Sequence, residues 1–560
     1  TAEPTMELHL LVTALIAGHA CMYLYALLAG QTVPGEARLR ESWLLPGRPM
    51  ALPVERRDLP DWNCWMDWRA NFPMLAVLFA TYLVLGRLLA GSRARPDGSR
   101  ALSGKRYMHY SGLLFTVAMH GVGGAGLVAL IAAANYLLVL ALVRALSGQN
   151  AQTGQPRGMG WAMLAMWVFN IPVTSLMFWL TGEDETGAGA RLLHFLPAWL
   201  SQTVSFQGIG PWFSYRFMCL RFISFGCDAL WAALDPSTQA SERPSGAESS
   251  ADFVSRIAAE SHSKDKYFGV GGAWYYSAYV TYPPLYFMGP LLSYNGFVAQ
   301  VDRPCAPRPA REIASYALVI AGYAAALEAS MHVLYYPGWL GSGTPLDVLL
   351  GMPLPEMAVA VHSLLNFEWT SLMVMWRVQR LVALLDGVDT YENMTRNINL
   401  VCSFQEMWRH WHVSVNKFSV RYIYVPIGGK RRPLAGVLAT FVFVAFWHEV
   451  NGVGTAMHWY IWGALNCICL LFEKLVVARL RVRGRLATAA LGAATYQVMQ
   501  WANIPAMMAW DVSCSLGVRL LQAWTIVIPP LLYGLQGVIA AEVAAAAKPS
   551  NKEKREPSSA

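Results

Sequence analysis

A chain of 560 residues, 55% hydrophobic and only 14% charged, has too little polar surface to cover a core of that size, which excludes an ordinary soluble globule. It reads instead as a polytopic membrane protein. Its formal charge of +8 makes no case for a nucleic-acid partner, because the basic residues sit in short loops (Arg93, Arg95, Arg100, Lys105 and Arg106; Lys430, Arg431 and Arg432; Arg479, Arg481, Arg483 and Arg485), a pattern of cytosolic loops or of contact with an anionic ligand.

Apolar stretches of roughly bilayer-crossing length lie at Met6–Leu28, Phe72–Leu89, Tyr110–Leu146, Met159–Leu180, Leu192–Val204, Trp212–Leu234, Val270–Leu292, Ala314–Leu334, Met357–Met375, Leu434–Val450, Ala456–Val477, Ala487–Ala509 and Leu516–Ala545. Several could split or stay re-entrant, so about ten to twelve crossings are expected. These lengths and the lack of strict alternation exclude a β-barrel. The expected fold is all-α, a polytopic bundle of transmembrane helices. Met6–Leu28 has an acidic flank and no small-residue cleavage site, as a retained span rather than a signal peptide would; Thr1 at the start fits a trimmed beginning.

The loop Gln31–Asn71 is rich in Pro, Arg and Trp, and its Asp61-Trp-Asn-Cys-Trp-Met-Asp-Trp68 suits the membrane interface. Asp235–Lys266 is polar and without apolar periodicity, hence expected to be a flexible loop. It would divide amino-terminal helices (1–234) from a catalytic core (267–546), with a disordered tail at 547–560. No repeat of fixed period is evident, which disfavours a repeat-built transporter. The nine cysteines are scattered without metal-ligand spacing, so no metal is expected. Glu328, His332, His362 and Glu368 stand in apolar surroundings, and Glu328 and His332, at i and i+4, could pair. Asn393-Met-Thr395 is a glycosylation sequon, read as unused.

The chemistry concentrates in residues 404–448. Phe404-Gln-Glu-Met-Trp-Arg-His-Trp-His412 leads into Arg421-Tyr-Ile-Tyr-Val-Pro-Ile-Gly-Gly429, then an apolar run ends in Phe446-Trp447-His448-Glu449. His448 would be buried at or near membrane depth, where an imidazole of unperturbed pKa about 6.5 can take a proton from a hydroxyl attacking an acyl carbonyl. A histidine hydrogen-bonded to a neighbouring helix is the plainer alternative. On a continuous helix His412 would share a face with Trp408 and Asn416 and lie away from His410. The Pro/Gly turn followed by Lys430, Arg431 and Arg432 could hold the phosphates of a nucleotide-bearing carrier, or anchor a helix end at the headgroups.

The Trp-x-x-Trp-His-x-Ser string at Trp408–Ser414, the Tyr-x-Tyr-x-Pro-x-Gly-Gly turn, the Trp447-His448 pair and Trp462-Gly-Ala-Leu-Asn466 together resemble the membrane-bound O-acyltransferase superfamily. Tyr282-Pro-Pro-Leu-Tyr-Phe-Met-Gly-Pro290, Trp376-Arg-Val-Gln-Arg380 and the Trp/Asp-rich first loop extend the likeness to the branch of Hedgehog acyltransferase and the Gup proteins. It covers most of the chain, least in 91–266 and after about 480. Hedgehog acyltransferases of this pattern carry aspartate where His412 stands, whereas Gup-type proteins carry histidine; animal Gup-like homologues lack the base that His448 supplies here.

The resemblance implies transfer of a fatty acyl chain from acyl-CoA to a lipid hydroxyl, most simply the lyso form of a glycosylphosphatidylinositol (GPI) anchor or another lysophospholipid, in the endoplasmic reticulum. No bound cofactor is implied, acyl-CoA serving as co-substrate, and protein partners are left open. It assigns His448 as general base and His412 to orient the acceptor or stabilise charge on the thioester oxygen. Asn416 and Asn466 would be polar supports, Trp447 and Trp462 packing, and Arg409, Arg421, Lys430, Arg431 and Arg432 contacts to the CoA phosphates. Two other readings stay open: acylation of a protein, as by Hedgehog acyltransferase, and transport of glycerol or another solute.

Overall fold

The computed structural model describes residues 44–46, 56–58, 64–90, 99–153, 158–181, 211–234, 250–259, 262–333, 353–401, 403–448, 458–479, 485–506, 535, 538 and 539. The expected spans Met6–Leu28 and Leu192–Val204, nearly all of Leu516–Ala545, and the tail lie outside them. Helices dominate the described residues, apart from a short antiparallel ribbon of β1 (Leu44–Pro46) and β2 (Arg56–Asp58), with Leu45 opposite Arg57.

The long apolar helices lie in α1 (Cys64–Ala90), α2 (Leu102–Thr153) and α9 (Ala310–Val333). Among the described residues three helices are long and apolar enough to cross a membrane, over Asp67–Leu89, Leu102–Ser147 and Ala310–Met331; Met159–Val173 and Pro433–His448 are shorter apolar helices. Val84, Leu88, Leu114, Leu130, Leu137 and Leu318 are exposed on the long three, a surface that suits hydrocarbon. α2 breaks at Gly121 (φ 66°, ψ 178°).

α3 (Met159–Thr181) and α2 pack on α4 (Pro211–Leu234), the central helix. Every residue from 214 to 230 is buried except Arg216. Asn135 and Asn170 tie the inner faces, Asn170 donating to Asn135 (3.1 Å) and Asn135 to Tyr276 (3.0 Å), as polar side chains do between helices in lipid.

Val270–Leu292, expected as one span, is instead α6 (Gly269–Val280), the single turn α7 (Pro283–Tyr286) and non-helical chain to Ser293. Pro283 and Pro284 supply no N–H and disfavour helix just before them. The freed carbonyls of Val280 and Leu285 accept from the buried guanidinium of Arg221 on α4, so irregular backbone survives where protein, not lipid, surrounds it.

Other expectations of loop structure are also corrected. Within Asp235–Lys266, α5 (Ser250–Ala259) is a helix whose Val254, Ile257 and Ala258 are buried at i, i+3 and i+4 against α8 (Tyr294–Asp302), a spacing that makes one apolar face. Trp65 and Trp68 are buried in the first turns of α1, where Trp65 Nε1 finds an acceptor in Glu328 Oε1 (3.3 Å) and the two rings stack at 5.4 Å. Glu328 also pairs with Arg69 (3.0 Å); the side chain of His332 lies outside those described. Arg100 and Lys105 are not free loop cations: buried Arg100 donates to Asp386 O (2.9 Å) and Lys105 pairs with Asp302.

The remaining helices frame the site. α9 packs on α10 (Leu354–Leu385); α11 (Phe404–His410) and α12 (Val413–Ser419) lead through a π-turn to α13 (Pro433–His448), which packs on α14 (His458–Leu475), and α15 (Arg485–Asn503) follows.

Candidate active site

The helix expected to run on through residue 412 stops at His410. Trp411 is extended and His412 is left-handed (φ 44°, ψ 55°), the one non-glycine of positive φ among the described residues. His412 therefore does not continue the face of Trp408, although Asn416 N still donates to His412 O (3.0 Å). Asn393 fixes the break: its O accepts from Val413 N (3.1 Å) and its Oδ1 from Ser414 N (3.0 Å). A strained conformation held this firmly is common where a side chain must be aimed.

The aim is inward. The His412 ring stacks on Trp376 of α10 (4.1 Å, 23°) and lies 6.2 Å from Trp447. His412 is buried and its Nε2 has no hydrogen-bond partner, nor has Trp376 Nε1. His448 meets the same Trp447 (4.9 Å), stacks flat on Trp459 (4.0 Å, 5°) and stands 6.1 Å from Trp462. Trp462 reaches this box because α14 comes close to α13 at Gly463, where a Cβ would lie 3.3 Å from Phe441 O. The two histidines, far apart on a linear chain, thus share one aromatic enclosure. His448 itself is only half-buried. Asn466 is fully buried, donating to Trp462 O (3.0 Å) and Ala502 O (3.1 Å).

Arg421 departs from its expected role. Its Nη2 and Nε lie 2.9 and 3.2 Å from Asp228 Oδ1, its guanidinium rests 4.9 Å over Trp231, and Tyr422 Oη adds a third bond to the same carboxylate oxygen (3.0 Å). A buried carboxylate requires such a partner, so this cation is taken up inside the protein. Lys430, Arg431 and Arg432 are exposed just after the turn, where Gly428 (φ 132°) and Gly429 (φ 55°) take conformations that favour glycine. Arg409 is exposed at the end of α11 and is not drawn into the aromatic enclosure.

Asp228, Arg216, Arg221, Trp376 and Asn393 were not among the expected site residues. Three charges within the apolar run Trp212–Leu234 were the available signal, since an ionisable group inside such a segment marks function or an internal partner.

The chain matches the profile of MBOAT, the membrane-bound O-acyltransferase family, over residues 151–509, and it belongs to that family. It is 28% identical over 420 residues to membrane-bound O-acyltransferase GUP1 of Saccharomyces cerevisiae, covering 72% of this chain and 66% of that protein. Its identity to GUP2 of the same yeast is 30% over 300 residues (48% and 46%). To protein-cysteine N-palmitoyltransferase HHAT of Mus musculus it is 29% over 206 residues (35% and 39%). The aligned part thus spans between 46% and 66% of the two yeast relatives.

Proposed function

We propose that this membrane protein transfers a fatty acyl chain from acyl-CoA to the hydroxyl of a lysolipid, most simply the lyso form of a GPI anchor, in the membrane of the endoplasmic reticulum. The observation that carries the reading is the meeting of His412 and His448 around Trp447, with His412 Nε2 buried and unpartnered. The similarity to a protein named membrane-bound O-acyltransferase GUP1 supports an oxygen acceptor such as a hydroxyl.

In this reading His448 takes the proton of the acceptor hydroxyl as its oxygen attacks the thioester carbonyl carbon. The C–O bond forms and the tetrahedral adduct collapses, breaking the C–S bond. The proton then passes from His448 to the departing CoA thiolate. No covalent acyl-enzyme is formed. His412, protonated at Nε2, donates to the thioester oxygen as it gains charge. Lys430, Arg431 and Arg432 remain the candidates for the CoA phosphates, and Arg409 is a weaker one; Arg421 is not, because Asp228 holds it.

Purified protein is offered labelled acyl-CoA with lysophosphatidylinositol, a lyso-GPI or an amine-bearing peptide, wild type beside His448→Ala. Product on the lipids that disappears in the variant is the expected result. Acylation of the peptide alone would favour the reading suggested by HHAT, and solute flux persisting in His448→Ala without any acyl product would favour transport.

A further inference from the structure

We infer that the buried amide face of α15 seats a polyhydroxylated headgroup of the acyl acceptor; this rests on the reading of the protein as a lysolipid acyltransferase. Tyr496, Gln500 and Asn503, at i, i+4 and i+7, share one face of α15, and all three are buried. Gln500 is 1% exposed, yet neither its amide nitrogen nor its amide oxygen has a hydrogen-bond partner. The same holds for Gln497 Nε2, one residue after Tyr496, for Asn466 Oδ1 on α14 and for Ser363 Oγ on α10. Native interiors satisfy nearly all buried polar atoms. Gln500 thus keeps both a donor and an acceptor unmet inside the protein, and Asn466, whose Nδ2 reaches α15 at Ala502 O, keeps an acceptor unmet beside it; these are the atoms that a polar occupant of this face would satisfy.

The face leads from the catalytic enclosure. At one end Asn503 Oδ1 accepts from Trp462 Nε1 (2.9 Å), and Trp462 lies 6.1 Å from His448. At the other, Tyr496 Oη donates to Asn399 Oδ1 (2.7 Å), and Asn399 Nδ2 donates to Asn366 Oδ1 (2.6 Å). About 10 Å of helix separates Tyr496 from Asn503. The groups along it are amides and hydroxyls, with the buried imidazole of His362 beside Tyr496 Oη (3.4 Å). A bare phosphate would call for Arg or Lys, and a quaternary ammonium for an aromatic cage. A hydroxyl both donates and accepts, and a primary amide offers both in return, so the chemistry fits a neutral polyol such as an inositol or sugar ring.

The test is binding of lysophosphatidylinositol and lysophosphatidylcholine to the full chain in detergent, read by thermal stabilisation, for wild type, His448→Ala and Gln500→Leu. Wild type and His448→Ala are expected to prefer the inositol lipid equally. Gln500→Leu, which removes an unsatisfied amide at similar volume and should fold at least as well, is expected to bind the inositol lipid about tenfold more weakly and the choline lipid unchanged. Should that variant aggregate, Ser363→Ala, which deletes one hydroxyl, replaces it with the same expected loss of preference. Equal binding of the two lipids by wild type, meaning that the face holds water only, or a preference retained in the variants, overturns the inference. Acyl transfer is measured separately: intact lipid preference with no transfer by wild type would overturn the proposed activity and leave the headgroup site standing.

Discussion

Arg216 Nη1 donates to the carbonyl oxygen of His448 (2.7 Å), and Trp447 Nε1 donates back to the carbonyl of Arg216 (3.0 Å). Phe217 closes the clasp edge-on against Trp447 (5.3 Å, 86°). The end of α13 is thereby tied to α4, an element 231 residues earlier by the Trp447 bond. His448 is the last described residue of its helix, and without Arg216 its carbonyl would lose a charged donor and its ring a fixed origin.

From this clasp, Arg216→Ala is expected to lower kcat on the order of 100-fold, the cost of a small displacement at the reacting group, with KM for acyl-CoA little changed. Arg216→Lys, which keeps the charge and one donor, is expected to restore part of the rate. Steady-state kinetics with labelled acyl-CoA decides. A raised KM at unchanged kcat would mean that Arg216 binds substrate rather than positioning His448.

His412 is separable into a conformational and a chemical part. Its left-handed backbone suits asparagine as well as histidine, whereas the imidazole stacked on Trp376 is peculiar to histidine at this place. His412→Asn is expected to keep the thermal midpoint within a few degrees of wild type and to lose most of the transfer activity. A fully active, well-folded asparagine variant would remove His412 from the chemistry.

The contrast between what could and could not be foreseen has a physical cause. Spans such as Phe72–Leu89 are legible because length and apolarity alone satisfy a bilayer, and the motif around Trp447 and His448 because its residue types are rare in combination. The break at His412 is not legible: it is imposed by Asn393, 20 and 21 residues upstream of Val413 and Ser414 by chain count, through bonds that local periodicity does not encode. The role of Arg421 is hidden for the same reason, since its partner Asp228 lies 193 residues away. Val270–Leu292 misleads because hydropathy registers a buried irregular segment and a span alike; the Pro283-Pro284 pair was the local clue.

A pH dependence of stability follows from Asp302. Burial would raise its pKa, but hydrogen bonds from Lys105, Lys266 and Tyr275 outweigh it and hold the carboxyl below the ordinary carboxylate range. A group depressed in the folded state contributes fully above its unfolded pKa of about 3.9 and loses the contribution as pH falls through the lower folded value. Lys266 is opposite in sign: burial would lower it, but Asp302 and Tyr275 raise it, so its contribution is complete below about 10.4 and is lost as pH rises through the higher folded value. The difference in thermal midpoint between wild type and Asp302→Asn is expected to be flat between these limits and to shrink beyond either. A difference that widens on acidification would contradict the assignment.

Asp228 offers the strongest test of the packing. Its carboxylate is fully buried and accepts from Arg421, from Tyr422 Oη and, at Oδ2, from Asn295 N (3.1 Å), so it joins α4 to the chain at both Asn295 and the π-turn. Removing one partner of a buried pair strands the other, and Asp228→Ala is expected to cost about 3–5 kcal/mol. Replacing both charges, Asp228→Leu with Arg421→Met, leaves no stranded guanidinium and is expected to recover a substantial part of the loss, giving a non-additive double-mutant cycle in detergent denaturation. Additive losses would show that the two side chains act apart. Arg421→Met alone separates structure from substrate contact: a lowered thermal midpoint with KM for acyl-CoA unchanged is expected, while a raised KM at wild-type stability would return Arg421 to the phosphate site and break the link to Asp228.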